Sequence, residues 1–369
     1  MSDFDYGNAR IRAMKSRLLG VRELDALIEA NSLQGLIAAL TQTPYRTPVE
    51  AALARMSGMD CILEALHQEL TNTLGKLRTF YTDEAGDLVE IALRAYDIHN
   101  LKAVLRGLSK NVPPADIVAA LLPAVGLRYT TLVELSSASG PRAAIDTLAS
   151  MRLPFAGPLL ELRARKPGAE VYEMELALDQ WHYKQAKQYL GAENRDGKIL
   201  AQSLNHEADL ANLQTVLRFV HHQSERNLIY ERTGGHGNSD ELRMDHEDLS
   251  GLFFGPGQLS YTQLYSAGSR DTVPEAIEIF TGTPYEAPLR LGIESFGRSA
   301  RLSEFEKQLR RFYLHWSASL IAKDPLGIGV VLGYLALKTN EINNIRWIAQ
   351  GINLSLGANV IREGIEYTS

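Results

Sequence analysis

YLALKTNEINNIRWIAQG, residues Tyr334–Gly351, sets polar side chains into an apolar face. Leu337, Ile342, Ile345, Ile348 and Ala349 fall three to five apart or adjacent, which predicts a helix rather than a strand. Two earlier stretches read the same way, YDIHNLKAVLRG from Tyr96 and ADLANLQTVLRF from Ala208. Each carries an acid, an apolar residue, any residue, Asn, an apolar residue and then Lys, Gln or Arg, at Asp97–Lys102, Asp209–Gln214 and Glu341–Arg346.

A second landmark precedes each copy. LIAALTQTPY ends at Pro44 and Tyr45, AIDTLASMRLPF at Pro154 and Phe155, and AIEIFTGTPY at Pro284 and Tyr285. From that proline to the motif asparagine the chain counts 56 residues to Asn100, 58 to Asn212 and 60 to Asn344. Another proline follows four residues after each landmark, at Pro48, Pro158 and Pro288. Near-constant internal spacing is the signature of one module used three times, and the modules span about 1–115, 116–247 and 248–369.

Helix-period spacing dominates the 369 residues, and no β-branched alternation is sustained over the length of a strand. The expectation is an all-α protein with prolines between helices. After each proline pair comes a long amphipathic segment, from Met59, Val171 and Arg301, whose aromatics (Tyr81, Trp181, Tyr183, Phe312, Tyr313, Trp316) read as core packing. HHQSERNLIYERTGGHGNSDELRMDHEDLSG, from His221 to Gly251, has no period and reads as a loop inserted at the end of the second module.

A net charge of -6 argues against a general nucleic-acid binder. The single cysteine, Cys61, reads as an inert buried side chain. No apolar run reaches the roughly 18 to 20 residues of a membrane span, and the opening MSDFDYGNARIRAMKSRLL lacks the pattern of a secretory signal. The expected compartment is therefore the cytoplasm.

The common catalytic motifs are absent. The chain has no GxxxxGK[ST] loop, no strand followed by GxGxxG and no GxSxG elbow. His221, His222, His236, His246, Asp245 and Glu247 lie close in sequence but lack ligand spacing such as HExxH. Carboxylates such as Glu64, Glu69, Glu173, Glu175, Glu304 and Glu306 fall on amphipathic segments, where solvation or capping is the default. The reading assigns no catalytic, cofactor or metal residue. Within the repeat, Asp97 and Asn100, Asp209 and Asn212, and Glu341 and Asn344 each share a helix face. An amide has the donors and the acceptor to bond the backbone ends of a neighbouring helix, so these pairs, with Pro44, Pro154 and Pro284, read as structural residues that fix packing within each module.

YGNARIRAMKSRLL near the start, RAYDIHNLKAVLRG from Arg94 and GYLALKTNEINNIRWIAQGI from Gly333 resemble the C subunit of archaeal and bacterial vacuolar-type rotary ATPases, a relative of the eukaryotic d subunit. The resemblance runs through nearly the whole chain; the histidine stretch departs from it. It implies three similar helical bundles arranged as a funnel with pseudo-threefold symmetry. It also implies a non-catalytic central-stalk subunit of the rotor, peripheral on the cytoplasmic face of the membrane. There it would join the rotating shaft to the proteolipid ring during proton or sodium transport. A helical-repeat scaffold for other protein partners is the competing reading, against which stands the period of roughly 110 to 130 residues, far longer than common solenoid repeats. Arg10, Arg12, Lys15 and Arg17 read as a solvated helix face.

Overall fold

The computed structural model describes residues 3–190, 194–232 and 251–368, and every regular element among them is an α-helix. A first helix, α1 (Asp5–Lys15), precedes a run of three short helices and two long ones: α2 (Val21–Ile28), α3 (Leu33–Leu40), α4 (Arg46–Leu53), α5 (Gly58–Phe80) and α6 (Asp83–Ser109). After a short helix α7 (Pro114–Ala119), the order recurs in α8 (Tyr129–Ser136), α9 (Pro141–Ser150), α10 (Ala156–Arg165), α11 (Val171–Tyr189) and α12 (Arg195–Arg232). It recurs again in α13 (Tyr261–Gly268), α14 (Val273–Glu278), α15 (Glu286–Ser299), α16 (Ser303–Lys323) and α17 (Gly329–Asn353), and α18 (Ala358–Gly364) follows.

The proline landmarks form the same turn three times, between the second and third helix of each run. Pro44, Pro154 and Pro284 are exposed, whereas the aromatic after each is buried. Pro48, Pro158 and Pro288 are buried in the first turn of α4, α10 and α15, where a missing N–H costs no intrahelical bond. In two copies a threonine braces the turn. Thr43 Oγ1 donates to the Leu40 carbonyl at 2.6 Å and accepts from the Tyr45 N–H at 3.1 Å, and Thr283 does the same with Phe280 at 2.6 Å and Tyr285 at 3.3 Å. The middle copy has Leu153 there and loses both bonds.

The long helices end alike in the first and third runs. Asn111 and Ser355 adopt left-handed φ of 52° and 55°, and the next N–H returns to the Gly107 carbonyl at 3.0 Å or the Gly351 carbonyl at 2.9 Å, the six-to-one bond of a Schellman end. The chain then folds back as α7 or α18. Those helices lie so close that a Cβ on Gly107 would come 2.6 Å from Ile117 Cγ1, and one on Gly351 2.6 Å from Ile361 Cγ1.

The second run differs from the expected loop at His221, for helix α12 continues to Arg232. Leu213, Val216, Leu217 and Val220 are buried, and their helical period carries into a polar stretch in which the first glycine is Gly234. Polarity without a breaker does not end a helix. His236, Asp245, His246 and Glu247 lie outside the described residues.

By density of contacts the chain divides into two compact bodies, one of residues 1–174, 194–200 and 314–369, the other of 175–193 and 201–313. In the first body α6 packs on α8 and α9, and α17 packs on α1, α2, α3, α5 and α18. In the second, Leu210, Leu213, Val216 and Leu217 of α12 share a core with Leu264, Ala276, Ile277, Phe280 and Tyr285 of the third run.

The close approaches give one substitution opposite signs at different places. Gly351→Ala and Gly107→Ala press on a buried isoleucine and are expected to destabilise by about 1 to 3 kcal/mol. Gly75→Ala, in mid-α5 with no atom within 4 Å of the new Cβ, is expected to stabilise by about 0.5 to 1 kcal/mol. Chemical denaturation of the three variants reads both signs.

Candidate functional site

Each motif acid is buried and receives backbone N–H groups from the segment that leads into another run of helices. Asp97 accepts from Val125 at 3.1 Å, Gly126 at 2.7 Å and Leu127 at 3.3 Å. Asp209 accepts from Gln258 at 2.8 Å and Leu259 at 3.2 Å. Glu341 accepts from Leu19. Leu127, Leu259 and Leu19 hold the same place, two residues before α8, α13 and α2. Space is tight enough that a Cβ on Gly257 would overlap the Asp209 carboxylate.

The asparagine one turn on also clasps backbone, that of the same segment in the first two copies and that of the stretch after α18 in the third. Asn100 donates to the Leu122 carbonyl at 3.0 Å and accepts its N–H at 2.8 Å. Asn344 donates to the Glu366 carbonyl at 2.9 Å and accepts its N–H at 3.2 Å. Asn212 donates to the Gly255 carbonyl at 2.9 Å and accepts the Phe254 N–H at 2.8 Å. The amide therefore bonds extended backbone rather than the helix end expected from its chemistry, because that backbone has no ladder or helix to satisfy it. From Asn to its clasped residue the chain counts 22 positions in the first and third copies and 42 in the second, so twenty extra residues separate the two ends of the middle connector.

The tyrosine after the landmark proline completes two of the three nodes. Tyr285 donates to Asp209 Oδ2 at 2.8 Å, and His206 Nδ1 lies 2.8 Å from the same hydroxyl while His206 Nε2 lies 3.2 Å from Gln258 Nε2. With the hydroxyl proton committed to Asp209, Nδ1 carries the ring proton and Nε2 accepts from the glutamine. The relay uses a neutral imidazole, and burial lowers the His206 pKa to about 4. In the third node Tyr45 donates to Glu341 Oε1 at 2.7 Å. Lys338 donates to Tyr45 at 3.1 Å and Glu341 at 2.9 Å and pairs with Glu69 at 3.0 Å, with its ammonium 4.5 Å from the centre of the Tyr45 ring. Burial, and then the Glu341 charge, raise the Tyr45 pKa well above its ordinary value. The first node has no such hydroxyl, since Phe155 stands where the others have tyrosine. Asp97 takes a third backbone N–H instead, and burial still raises its carboxyl.

Sequence alone does not single out Tyr45, Tyr285, Lys338 or His206 as site residues; the tyrosines' place directly after the landmark proline is the one available signal. Of the aromatics assigned to packing, Tyr81 is buried and donates to Asn8 at 2.8 Å, and Tyr183 donates to Asn205 at 3.0 Å, its pKa raised by burial to about 12. Cys61 is buried, and burial raises its thiol. Arg10, Lys15 and Arg17 lie along α1 and just past its end, and Arg12 reaches the Pro325 carbonyl. Among the described residues no group of three or more His, Cys, Asp or Glu side chains could hold a metal ion, and no helix is long and apolar enough to cross a membrane.

Polar groups concentrated in this way hold backbone, with the donors of the relay and of the ammonium committed to the protein itself, and the class they define is a helical protein built on repeated nodes. Comparison with known proteins gives that class its family. The sequence model of the ATP synthase (C/AC39) subunit matches residues 7–364, and the chain belongs to this family of non-catalytic subunits of A- and V-type ATP synthases. It is similar to the C subunit of the A-type ATP synthase of Methanosarcina acetivorans, 27% identical over 98% of this chain and 92% of the relative. It is also similar to that of Methanocaldococcus jannaschii, 24% identical over 95% and 83%. The C subunit of the V-type ATP synthase of Deinococcus radiodurans is 24% identical over 99% and 91%.

Replacing Asn344 or Asn100 with Leu preserves volume and strands two backbone groups, and each change is expected to cost about 1 to 3 kcal/mol. An unaltered melting temperature in both variants would show that the clasp contributes nothing.

The second node has a pH signature. In the unfolded chain a histidine titrates near 6.5, whereas folded His206 does so at about 4. Between those values the unfolded state binds the extra proton, so this residue lowers stability as pH falls through that window and has no effect above it. Asp209, raised by burial, acts in the opposite sense, which makes a difference measurement necessary. Wild type minus His206→Gln, followed by urea unfolding from pH 7.5 to 4.5, is expected to show stability declining only below about 6.5.

Proposed function

We propose that this chain is the central-stalk coupler of its ATP synthase, joining the rotating shaft of the nucleotide-hydrolysing or nucleotide-synthesising head to the membrane proteolipid ring. The observation that carries this reading is the hand-over at the nodes. Each motif helix directs a buried carboxylate at backbone outside its own run of helices, and the carboxylates reach in the order first to second, second to third and third to first. A part that transmits torque needs close packing, which resists deformation, and cross-links between successive elements. It needs no reaction centre.

On this reading the repeats divide near residues 1–115, 116–247 and 248–369 and surround a pseudo-threefold axis as a funnel. The shaft enters between them, and the opposite polar face meets the cytoplasmic loops of the ring. The motif residues Asp97, Asn100, Asp209, Asn212, Glu341 and Asn344, with the turns at Pro44, Pro154 and Pro284, then serve rigidity. They do not contact either partner. The protein acts on the cytoplasmic face without spanning the bilayer.

Depletion of this component from the assembled complex separates two activities. ATP hydrolysis by the detached head is expected to persist while ATP-driven ion transport into membrane vesicles disappears, and transport that survives depletion would refute the coupling role. The purified chain alone is expected to hydrolyse no ATP.

A further inference from the structure

The three nodes share one geometry but differ in how the chain closes them. Asp97 and Leu127 are 30 residues apart and Asp209 and Leu259 are 50 apart, so a local connector carries each leucine to its acid. Glu341 and Leu19 are 322 residues apart. No such connector joins the third motif helix to the run that it serves.

Charged pairs gather at that node. Beside the buried Lys338, Glu341, Glu69 and Tyr45 network, Arg362 of α18 pairs with Asp25 of α2 and with Glu29 just past its end, and Tyr367 donates to Asp25 at 3.0 Å. The matching interface of α7 with α8, where the connector is local, shows no ion pair among the described residues. A local connector keeps its two sides at high effective concentration, and the long-range node relies on electrostatics instead.

We propose that the contact of α17 and α18 with Leu19 and α2 is a releasable seam, latched by Lys338 between Glu341, Glu69 and Tyr45, at which the cyclic order of hand-overs opens while the two connector-closed nodes stay shut. Once opened, the seam has no short connector to return Leu19 to Glu341, and the packing of α17 on α1, α3 and α5 is what keeps its two sides near. Opening would allow the protein to be fitted to or removed from a partner without unfolding. That use rests on the coupling role proposed above; the seam itself does not.

Native-state hydrogen exchange on the isolated full chain tests it, because the amides of Leu19, Leu127 and Leu259 make the same bond to a carboxylate. Leu19 is expected to exchange at least about tenfold faster than the other two in wild type, by a sub-global opening. Lys338→Met leaves two carboxylates without their cation and is expected to speed Leu19 by a further factor of about a hundred, with Leu127 and Leu259 changed less than about threefold. Arg362→Ala, at the exposed end of the seam, is the milder variant should Lys338→Met not fold, and is expected to speed Leu19 and Glu366 by about twofold to fivefold. Equal protection of the three leucines in wild type would overturn the proposal, as would a variant that speeds all three alike. Neither result bears on transport by the assembled complex, so the seam and the coupling role fail separately.

Discussion

A carboxylate held away from water has to find donors, and on this chain the donors are backbone N–H groups of a segment with neither helix nor strand to satisfy it. That mutual need is the constraint on which the rest depends. The segment before α8, α13 or α2 is extended and partly buried, and unbonded its amides would each cost as much as a lost hydrogen bond. In the first two copies the acid and the asparagine of the motif meet that need from adjacent turns of a helix already fixed by its apolar face, and in the third the acid does so while the asparagine holds the stretch after α18. Packing and polar satisfaction thus specify the same register. A slip of one residue along α6, α12 or α17 would bury the acid against apolar side chains and strand the backbone at once.

The three versions of the node show how widely the chemistry drifts while the geometry holds. Asp97 accepts from three amides with Arg78 nearby, Asp209 adds a tyrosine and a neutral histidine, and Glu341 adds a tyrosine and an ammonium. The longer glutamate reaches a single amide, and the lysine occupies the remaining acceptor capacity. Loss of Tyr at Phe155 goes with loss of Thr at Leu153. Both changes make the middle turn apolar, and the apolar turn needs neither the side-chain brace nor a hydroxyl partner.

The helices, the turn at each landmark proline and the recurrence of the motif are legible in sequence, because local rules govern them. Apolar spacing depends on neighbours three and four residues away, and a proline constrains its own φ. What the motif bonds is not legible. Asn100 and Leu122 are close enough in sequence to suggest a partnership, but Glu341 and Leu19 are separated by 322 residues, and no local rule connects them. The buried lysine is hidden for a similar reason: Lys338 follows an apolar run and reads as the polar end of a helix face, yet Glu69 and Tyr45 come from the far part of the chain to cover it. The helix past His221 misleads in the other direction, since low hydrophobicity suggests absence of structure where only a breaker would have ended α12.

The absent hydroxyl at Phe155 has a consequence for how the molecule fails. Identical nodes would share one weakness, and a condition that loosened one would loosen all. Here acid protonates a histidine at one node only, and screening or loss of a cation acts at another. At the first node the backbone amides hold the carboxylate, with Arg78 beside it. Divergence of the repeats has therefore given the nodes different side-chain partners to lose, so that protonation of the imidazole and loss of the ammonium strike at different joints.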